Sequence, residues 1–292
     1  MKFTKMHGLG NDYVYVNCFE ETVRDPAALS PLISDRHRGI GADGLILISP
    51  SEKADACMRI FNANGSEAEM CGNGLRCVAK YVYDHGLAQS RGPFTPPGEH
   101  AGYPASLRIE TGRGLLTVGL TLDAENRVQS VCVDMGQPIL NPDEIPVRLA
   151  GPEIINHPIR IDDQSLEMTC VSMGNPHAVF VVDSLQEIDV PRLGAKIESH
   201  GHFPNRTNVH FVEILNEQEL QVRTWERGSG ITMACGTGAC ACCVAVVLMN
   251  RAERVCTTHL PGGDLAINWN DSDGHVYMTG PATEVFDGIW PP

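Results

Sequence analysis

The sequence predicts an α/β (α+β) protein of two pseudo-symmetric domains, and three observations carry that expectation. The first is an internal repeat. Cys71-Gly72-Asn73-Gly74 returns as Cys235-Gly236-Thr237-Gly238, and Gly10-Asn11-Asp12-Tyr13 returns loosely as Gly174-Asn175-Pro176-His177, both at an offset of 164 (235 − 71 and 175 − 11). The same offset sets Phe61-Asn62 opposite Trp225-Glu226. Two motifs in one order at one spacing mark two copies of a single unit. The second observation is that short β-rich runs bounded by Gly, Pro, Asn or Asp occur in both halves. The third is that each Cys-Gly-x-Gly opens a helix. A chain of 292 residues is long enough for two such units, each burying its own core. The expected arrangement is a pseudo-twofold with both Cys motifs facing a shared cleft.

Taken in order, Val14 to Val16, Leu45 to Ile48, Leu116 to Leu122, Val179 to Val182 and Val209 to Ile214 read as strands. Asp25-Pro26 has the form of an N-cap followed by proline at the first helical position, with Pro31 limiting that helix. After Asn73-Gly74, the residues Leu75, Val78, Ala79 and Val82 follow the helical i, i+3, i+4, i+7 pattern, and Gly86 supplies the stop. Ala239 to Met249 is small or apolar on every face and ends at Asn250-Arg251. It is too short to span a bilayer, so it is expected to be a helix buried within the protein. The dense Gly and Pro of Arg91 to Ala105 predict a surface loop or a poorly ordered insertion.

Lys and Arg number 22 against 36 Asp and Glu, a formal net charge of −14. That balance argues against wrapping a nucleic-acid backbone or an anionic membrane. With no basic n-region ahead of an apolar h-region and no 18-residue apolar run, neither secretion nor membrane spanning is expected. Eleven cysteines, an odd number at irregular spacing, then read as reduced thiols of a cytoplasmic protein.

A Cys at a helix N-terminus sits beside unsatisfied N–H groups and a partial positive charge, which favour its thiolate. Neighbouring glycines let backbone amides approach an anion such as a substrate carboxylate, and Asn73 and Thr237 are suitable N-caps. Two such elements on opposite sides of one amino acid suit stereoinversion at Cα, one thiolate removing a proton and one thiol delivering another. Other uses of the cysteines weigh less. Cys18, Cys57, Cys77, Cys132, Cys170, Cys240, Cys242, Cys243 and Cys256 are expected to be packing residues. The spacings of Cys71 to Cys77 and Cys235 to Cys240 do not match zinc knuckles, so no metal is expected. A Cys-His-Asn hydrolase using His7, His37, His177 or His210 would leave the second Cys motif unexplained. Neither a Walker-type loop nor a Gly-x-Gly-x-x-Gly fingerprint supports a nucleotide.

Lys5-Met6-His7-Gly8-Leu9-Gly10-Asn11-Asp12-Tyr13, Arg38 to Gly44, Phe61 to Ser66, Met70 to Cys77, Met173 to His177, Glu226-Arg227-Gly228, Ala234 to Ala239, Pro261-Gly262-Gly263 and Tyr277 to Ala282 together resemble the diaminopimelate epimerase family. The resemblance runs from residue 2 to about 288, interrupted mainly by 91–105. It implies a cofactor-independent isomerase interconverting LL- and meso-2,6-diaminopimelate in lysine and peptidoglycan-precursor biosynthesis, with no partner beyond its small-molecule substrate and a second copy of itself. It implies two domains, 1–134 plus 275–292 and 135–274, each a β-rich layer wrapped round a central helix. By the same resemblance Cys71 and Cys235 are the two acid/bases, while Gly72-Asn73 and Gly236-Thr237 hold the reacting carboxylate. Asn11, Asn62, Asn175, Asn208, Glu226 and Arg227 match substrate-binding positions, His177 and Glu226 match residues that adjust the thiols, and Tyr277 matches a dimer contact. Some members carry Gln where this chain has Gly44. Two alternatives stand beside the epimerase: a two-cysteine racemase of the proline or hydroxyproline type, and a non-catalytic thiol redox or metal-binding module.

Overall fold

The chain opens as a hairpin of β1 (Lys2–Gly8) and β2 (Asn11–Asn17). Leu9 and Gly10 between them both have positive φ, 57° and 84°, the turn geometry that matches the twist of paired strands. In this computed structural model, which describes residues 1–291, two units separate. One is Met1–Asp134 with the chain from Thr279 onward, and the other is Met135–Met278.

In the first unit α1 (Pro26–Ser34), β3 (Gly44–Ser49), β4 (Ala56–Asn62), β5 (Glu67–Ala68), α2 (Gly72–Asp84), β6 (Ala105–Thr111), β7 (Gly114–Leu122) and β8 (Val128–Asp134) follow the hairpin. β2 and β3 are parallel, β3 and β4 antiparallel, β4 and β6 parallel, and β6, β7 and β8 antiparallel in turn. The sheet wraps round α2, which packs against β1, β2, β4, β6 and β8. Leu75, Cys77, Val78, Ala79 and Val82 of α2 are fully buried. Truncating one of them, as in Leu75→Ala, would cost about 2–5 kcal/mol through lost burial and the cavity left behind.

The second unit repeats this order. It begins with β9 (His157–Ile161) and β10 (Gln164–Ser172), followed by β11 (Pro176–Val181), α3 (Val190–Glu198), β12 (Asn208–Asn216), β13 (Glu219–Glu226), β14 (Gly230–Ile231), α4 (Gly236–Leu248), β15 (Val255–Leu260) and β16 (Gly263–Trp269). β11 and β12 are parallel, β12 and β13 antiparallel, and β13 and β15 parallel, the same pattern as β2, β3, β4 and β6. α4, buried along almost its whole length, packs against β10, β11, β12, β13, β15 and β16. The strand β17 (Val276–Pro281) carries the chain out of this unit, and β18 (Thr283–Ile289) pairs antiparallel with β1.

The mixed α/β class expected from the sequence is the one that forms, and the offset of 164 extends well beyond the motifs. α1 at 26–34 matches α3 at 190–198, and α2 at 72–84 matches α4 at 236–248. Three details differ from expectation. Pro31 does not end α1, which continues to Ser34, because Ile33 is buried and the Ser30 hydroxyl donates to the carbonyls of Phe61 and Asn62. The N-caps are Cys71 and Cys235, not Asn73 and Thr237, which lie inside the first helical turn. Residues 91–105 are largely the surface loop expected, tied to the sheet where Phe94 bridges and stacks on Tyr103, whose hydroxyl pairs with Thr279 Oγ1 at 2.8 Å. The second unit was expected to end at 274; the observed division falls at Met278/Thr279, within β17.

Candidate active site

Each unit places its motif cysteine at the N-cap of its central helix, in extended backbone. In the first unit Cys71 is half-buried. Its Sγ accepts from the Gly74 amide at 3.4 Å and donates to Asn11 Oδ1 at 3.5 Å. Asn11 Oδ1 also accepts from Asn73 Nδ2 at 3.3 Å, and Asn11 Nδ2 donates to Asp43 Oδ2 at 2.7 Å. Asp43 shares Arg36 with Asp12, which also pairs with Lys5. Burial pushes the Asp12 carboxyl up, but Arg36 and Lys5 more than offset this and leave it below its ordinary value. Tyr13 is buried beside Cys71, and burial, together with the Cys71 and Asp43 charges, lifts its phenol well above 10.0. Asn62, at the end of β4, donates to Ser66 Oγ at 3.0 Å.

In the second unit Cys235 is buried, at 6% exposure, and its Sγ lies 3.6 Å from Thr237 Oγ1. Thr237 Oγ1 accepts from Asn175 Nδ2 at 3.4 Å, and Asn175 Oδ1 meets His177 Nε2 at 2.9 Å. Burial drives His177 well below its usual 6.5, with His210 and Arg227 adding to the shift, so the ring is neutral. Asn208 donates from Nδ2 to the Pro176 carbonyl and accepts the Arg227 amide on Oδ1 at 3.0 Å. Glu226 accepts from the Thr232 hydroxyl at 2.6 Å. Gly72, Asn73, Gly236 and Thr237 occupy the first helical turns, where N–H groups have no partner within the helix and an anion is favoured.

The structure thus gathers Asn11, Gly72 and Asn73 round Cys71, and Asn175, His177, Gly236 and Thr237 round Cys235. Asn62 stands at the end of β4, Asn208 opens β12, Glu226 ends β13, and Arg227 follows it in the turn, its amide on Asn208. Tyr277 is buried, with its hydroxyl donating to Asp273 Oδ2 at 2.8 Å. Of the other nine cysteines, Cys18 and Cys57 are half-buried and the rest buried, and no disulfide is present among the described residues. Burial pushes the Cys77 thiol up to about 11 and the Cys170 thiol up to about 12.

Sequence reasoning assigned no role to Tyr13 beside Cys71, and gave the motif glycines only the role of letting backbone amides approach an anion. A Cβ on Gly74 would lie 2.7 Å from Ile46 Cδ1, and one on Gly238 would lie 2.3 Å from His210 Cε1. These glycines let the helix approach its sheet. Gly44 is equally constrained, since a Cβ there would fall 2.2 Å from the Phe61 carbonyl oxygen. The backbone as it stands leaves no place for a side chain at this position. Applying the repeat offset residue by residue would have paired Tyr13 with His177 and Gly44 with Asn208.

The fold is shared with a phenazine biosynthesis protein of the PhzF family from Bacillus anthracis, at a TM-score of 0.70 and 15% identity, covering 99% of this chain and 98% of that one. It is also shared with a hydroxyproline epimerase from Agrobacterium vitis, at a TM-score of 0.66 and 14% identity, covering 99% and 90%. At that identity the likeness defines the fold alone. The sequence goes further. A model of the diaminopimelate epimerase family matches residues 3–140 and 169–285. The chain is 51% identical over 288 residues to a diaminopimelate epimerase of Acetivibrio thermocellus, covering 99% of this chain and 98% of the relative. It is 47% identical over 288 residues to one of Methanococcus maripaludis strain C6, covering 99% of each. The chain belongs to the diaminopimelate epimerase family and is an isomerase.

Proposed function

We propose that this protein interconverts LL- and meso-2,6-diaminopimelate by a two-base reaction at Cys71 and Cys235, without a cofactor. The observation that carries this reading is a cysteine at the N-cap of the central helix in each half of a duplicated chain that belongs to this family. The chemistry requires one sulfur on each face of the reacting carbon. A thiolate takes the Cα proton and becomes a thiol. The electron pair left on carbon delocalises into the α-carboxylate, and the other thiol delivers its proton to the opposite face and becomes the thiolate. The reverse direction exchanges the two roles. Negative charge grows on the carboxylate as the C–H bond breaks, so N–H groups of Gly72-Asn73 and Gly236-Thr237 aimed at it stabilise the transition state more than the ground state.

Asn11, Asn62, Asn175, Asn208, Glu226 and Arg227 bind the substrate in this reading, with the polar set along β12 and β13 available for the distal amino-acid end. His177 and Glu226 adjust the thiols, Tyr277 contributes to a homodimer, and the enzyme acts in the cytoplasm in lysine and peptidoglycan-precursor synthesis. The zwitterionic substrate carries no net charge to be repelled by a protein at −14. The test is incubation with LL-diaminopimelate in deuterated solvent after exhaustive chelation, with no pyridoxal phosphate added. Deuterated meso product is expected; no exchange, or exchange restored only by a metal or cofactor, would overturn the proposal.

A further inference from the structure

Behind Cys235 a chain of hydrogen bonds runs into the core of the second unit. Thr237 Oγ1 is 3.6 Å from the sulfur, Asn175 Nδ2 donates to that hydroxyl, and Asn175 Oδ1 meets His177 Nε2 at 2.9 Å. His177 Nδ1 meets His210 Nε2 at 2.9 Å, and His210 Nδ1 meets Thr224 Oγ1 at 3.0 Å. The order of donors follows from the network. Asn175 Oδ1 only accepts, so His177 donates from Nε2 and its Nδ1 must accept. His210 therefore donates from Nε2, and its own Nδ1 accepts the Thr224 hydroxyl proton. Both rings must be neutral for this order. Burial brings His210 down to about 3 and His177 well below 6.5, as neutrality requires. With one of its two lone pairs occupied by Asn175 N–H, the Thr237 hydroxyl still has its proton available to the sulfur.

The first unit shows that the fold does not need this chain. By the repeat offset, Tyr13, Ile46 and Ile60 stand where His177, His210 and Thr224 stand. The strand registers agree: Ile46 pairs with Ile60 on β3 and β4, as His210 pairs with Thr224 on β12 and β13. Tyr13 pairs with Gly44 as His177 pairs with Asn208. All of these residues are buried in their own unit. Burying an imidazole and a hydroxyl where a sister core uses two isoleucines is unfavourable unless every hydrogen bond is met. The helix clamps the chain from the other side, since Gly238 leaves no room for a Cβ against His210. The titratable groups round it are Arg227, whose charge acts on His177, and Cys242, which feels Cys235 from within α4.

We propose that His210 and Thr224 are positioning residues that fix the tautomer of His177 and, through Asn175, hold the Thr237 hydroxyl as a donor to Cys235, favouring its thiolate. The proposal rests on the reading of Cys235 as an acid/base, but its test does not need turnover. In the unaltered protein, two-bond ¹H–¹⁵N spectra of the imidazoles should show both His177 and His210 as Nε2–H tautomers across pH 5 to 8. An Nδ1–H tautomer at either ring would overturn it. Thr224→Val removes the terminal donor at nearly constant shape, and iodoacetamide labelling read by mass spectrometry reports each sulfur separately. Cys235 should react about fivefold more slowly at pH 7, with its titration moved to higher pH, while Cys71 is unchanged and Thr224→Ser restores the rate. An unchanged Cys235 rate, or equal slowing of Cys71, would also overturn it. If the tautomers and the labelling behave as stated but deuterium exchange fails, it is the proposed function that falls.

Discussion

The surroundings of Cys71 and Cys235 make an informative comparison, because the two units are the same scaffold with different interiors. Both cap a 13-residue helix wrapped by strands in the same pairing order. Cys71 is half-buried, serves as its helix's own cap through the Gly74 amide, and donates to Asn11. Cys235 is buried, makes no side-chain cap bond, and lies against a threonine hydroxyl backed by two neutral histidines. The helices differ too: α2 is amphipathic and buries Arg76, whereas α4 is buried on nearly every face. Duplication supplied the frame, and divergence of a few core positions supplied two thiols with different hydrogen-bond roles, which a reaction needing one base and one acid can use.

The strongest way to break the comparison is to remove each sulfur in turn. Cys71→Ala and Cys235→Ala should each lower epimerisation by roughly a thousandfold or more, measured by conversion of LL to meso substrate. Survival of activity in either variant would end the symmetry of function. The next effect is steric. Gly238→Ala should destabilise the protein by about 1–3 kcal/mol in urea unfolding, because the rigid His210 ring cannot move aside. Gly74→Ala should cost less, since the methyl end of Ile46 can rotate away. Equal losses would refute the clamp on His210.

A pH effect should belong to the second unit. His177 and His210 are neutral when folded, and both regain an ordinary value near 6.5 when unfolded. Below pH 6.5 the unfolded chain therefore binds more protons, so stability is full above 6.5 and falls as the pH drops towards 3. His210→Phe should flatten that fall by about one proton in the slope of unfolding free energy against pH; an unchanged slope would contradict the burial of a neutral His210. The smallest effects should be equal between units. Asp25→Ala and Asp189→Ala each remove an N-cap, of α1 and α3, and each should cost about 1 kcal/mol. A large difference between them would show that the outer helices are not equivalent.

Much of this was legible in the chain because the repeat is exact in spacing where it matters. The Cys-Gly-x-Gly pairs, the helices they open and the two-unit plan follow from residues 71–74 and 235–238. The caps differ from expectation because asparagine and threonine are the stronger cap formers in general, whereas here the extended backbone falls two residues earlier in each motif, at the cysteines. Pro31 was over-read because tertiary packing of Ile33 and Ser30 carries α1 past it. His210 and Thr224 were obscured by strand periodicity. On alternating strands they look like ordinary inward positions, and only their isoleucine counterparts mark them as unusual.

The central claim is that two thiols act on opposite faces of one carbon, and the isotope content at early turnover tests it most directly. LL-diaminopimelate is incubated with the enzyme in deuterated solvent, the first few per cent of product and the remaining substrate are separated by chromatography, and the isotope content of each is read by mass spectrometry. The account predicts that the meso product carries one deuterium while the unreacted LL pool stays largely protonated, because the proton removed by one sulfur is not the one returned by the other. Product that retains the substrate's own hydrogen would mean a single base serving both faces and would contradict it.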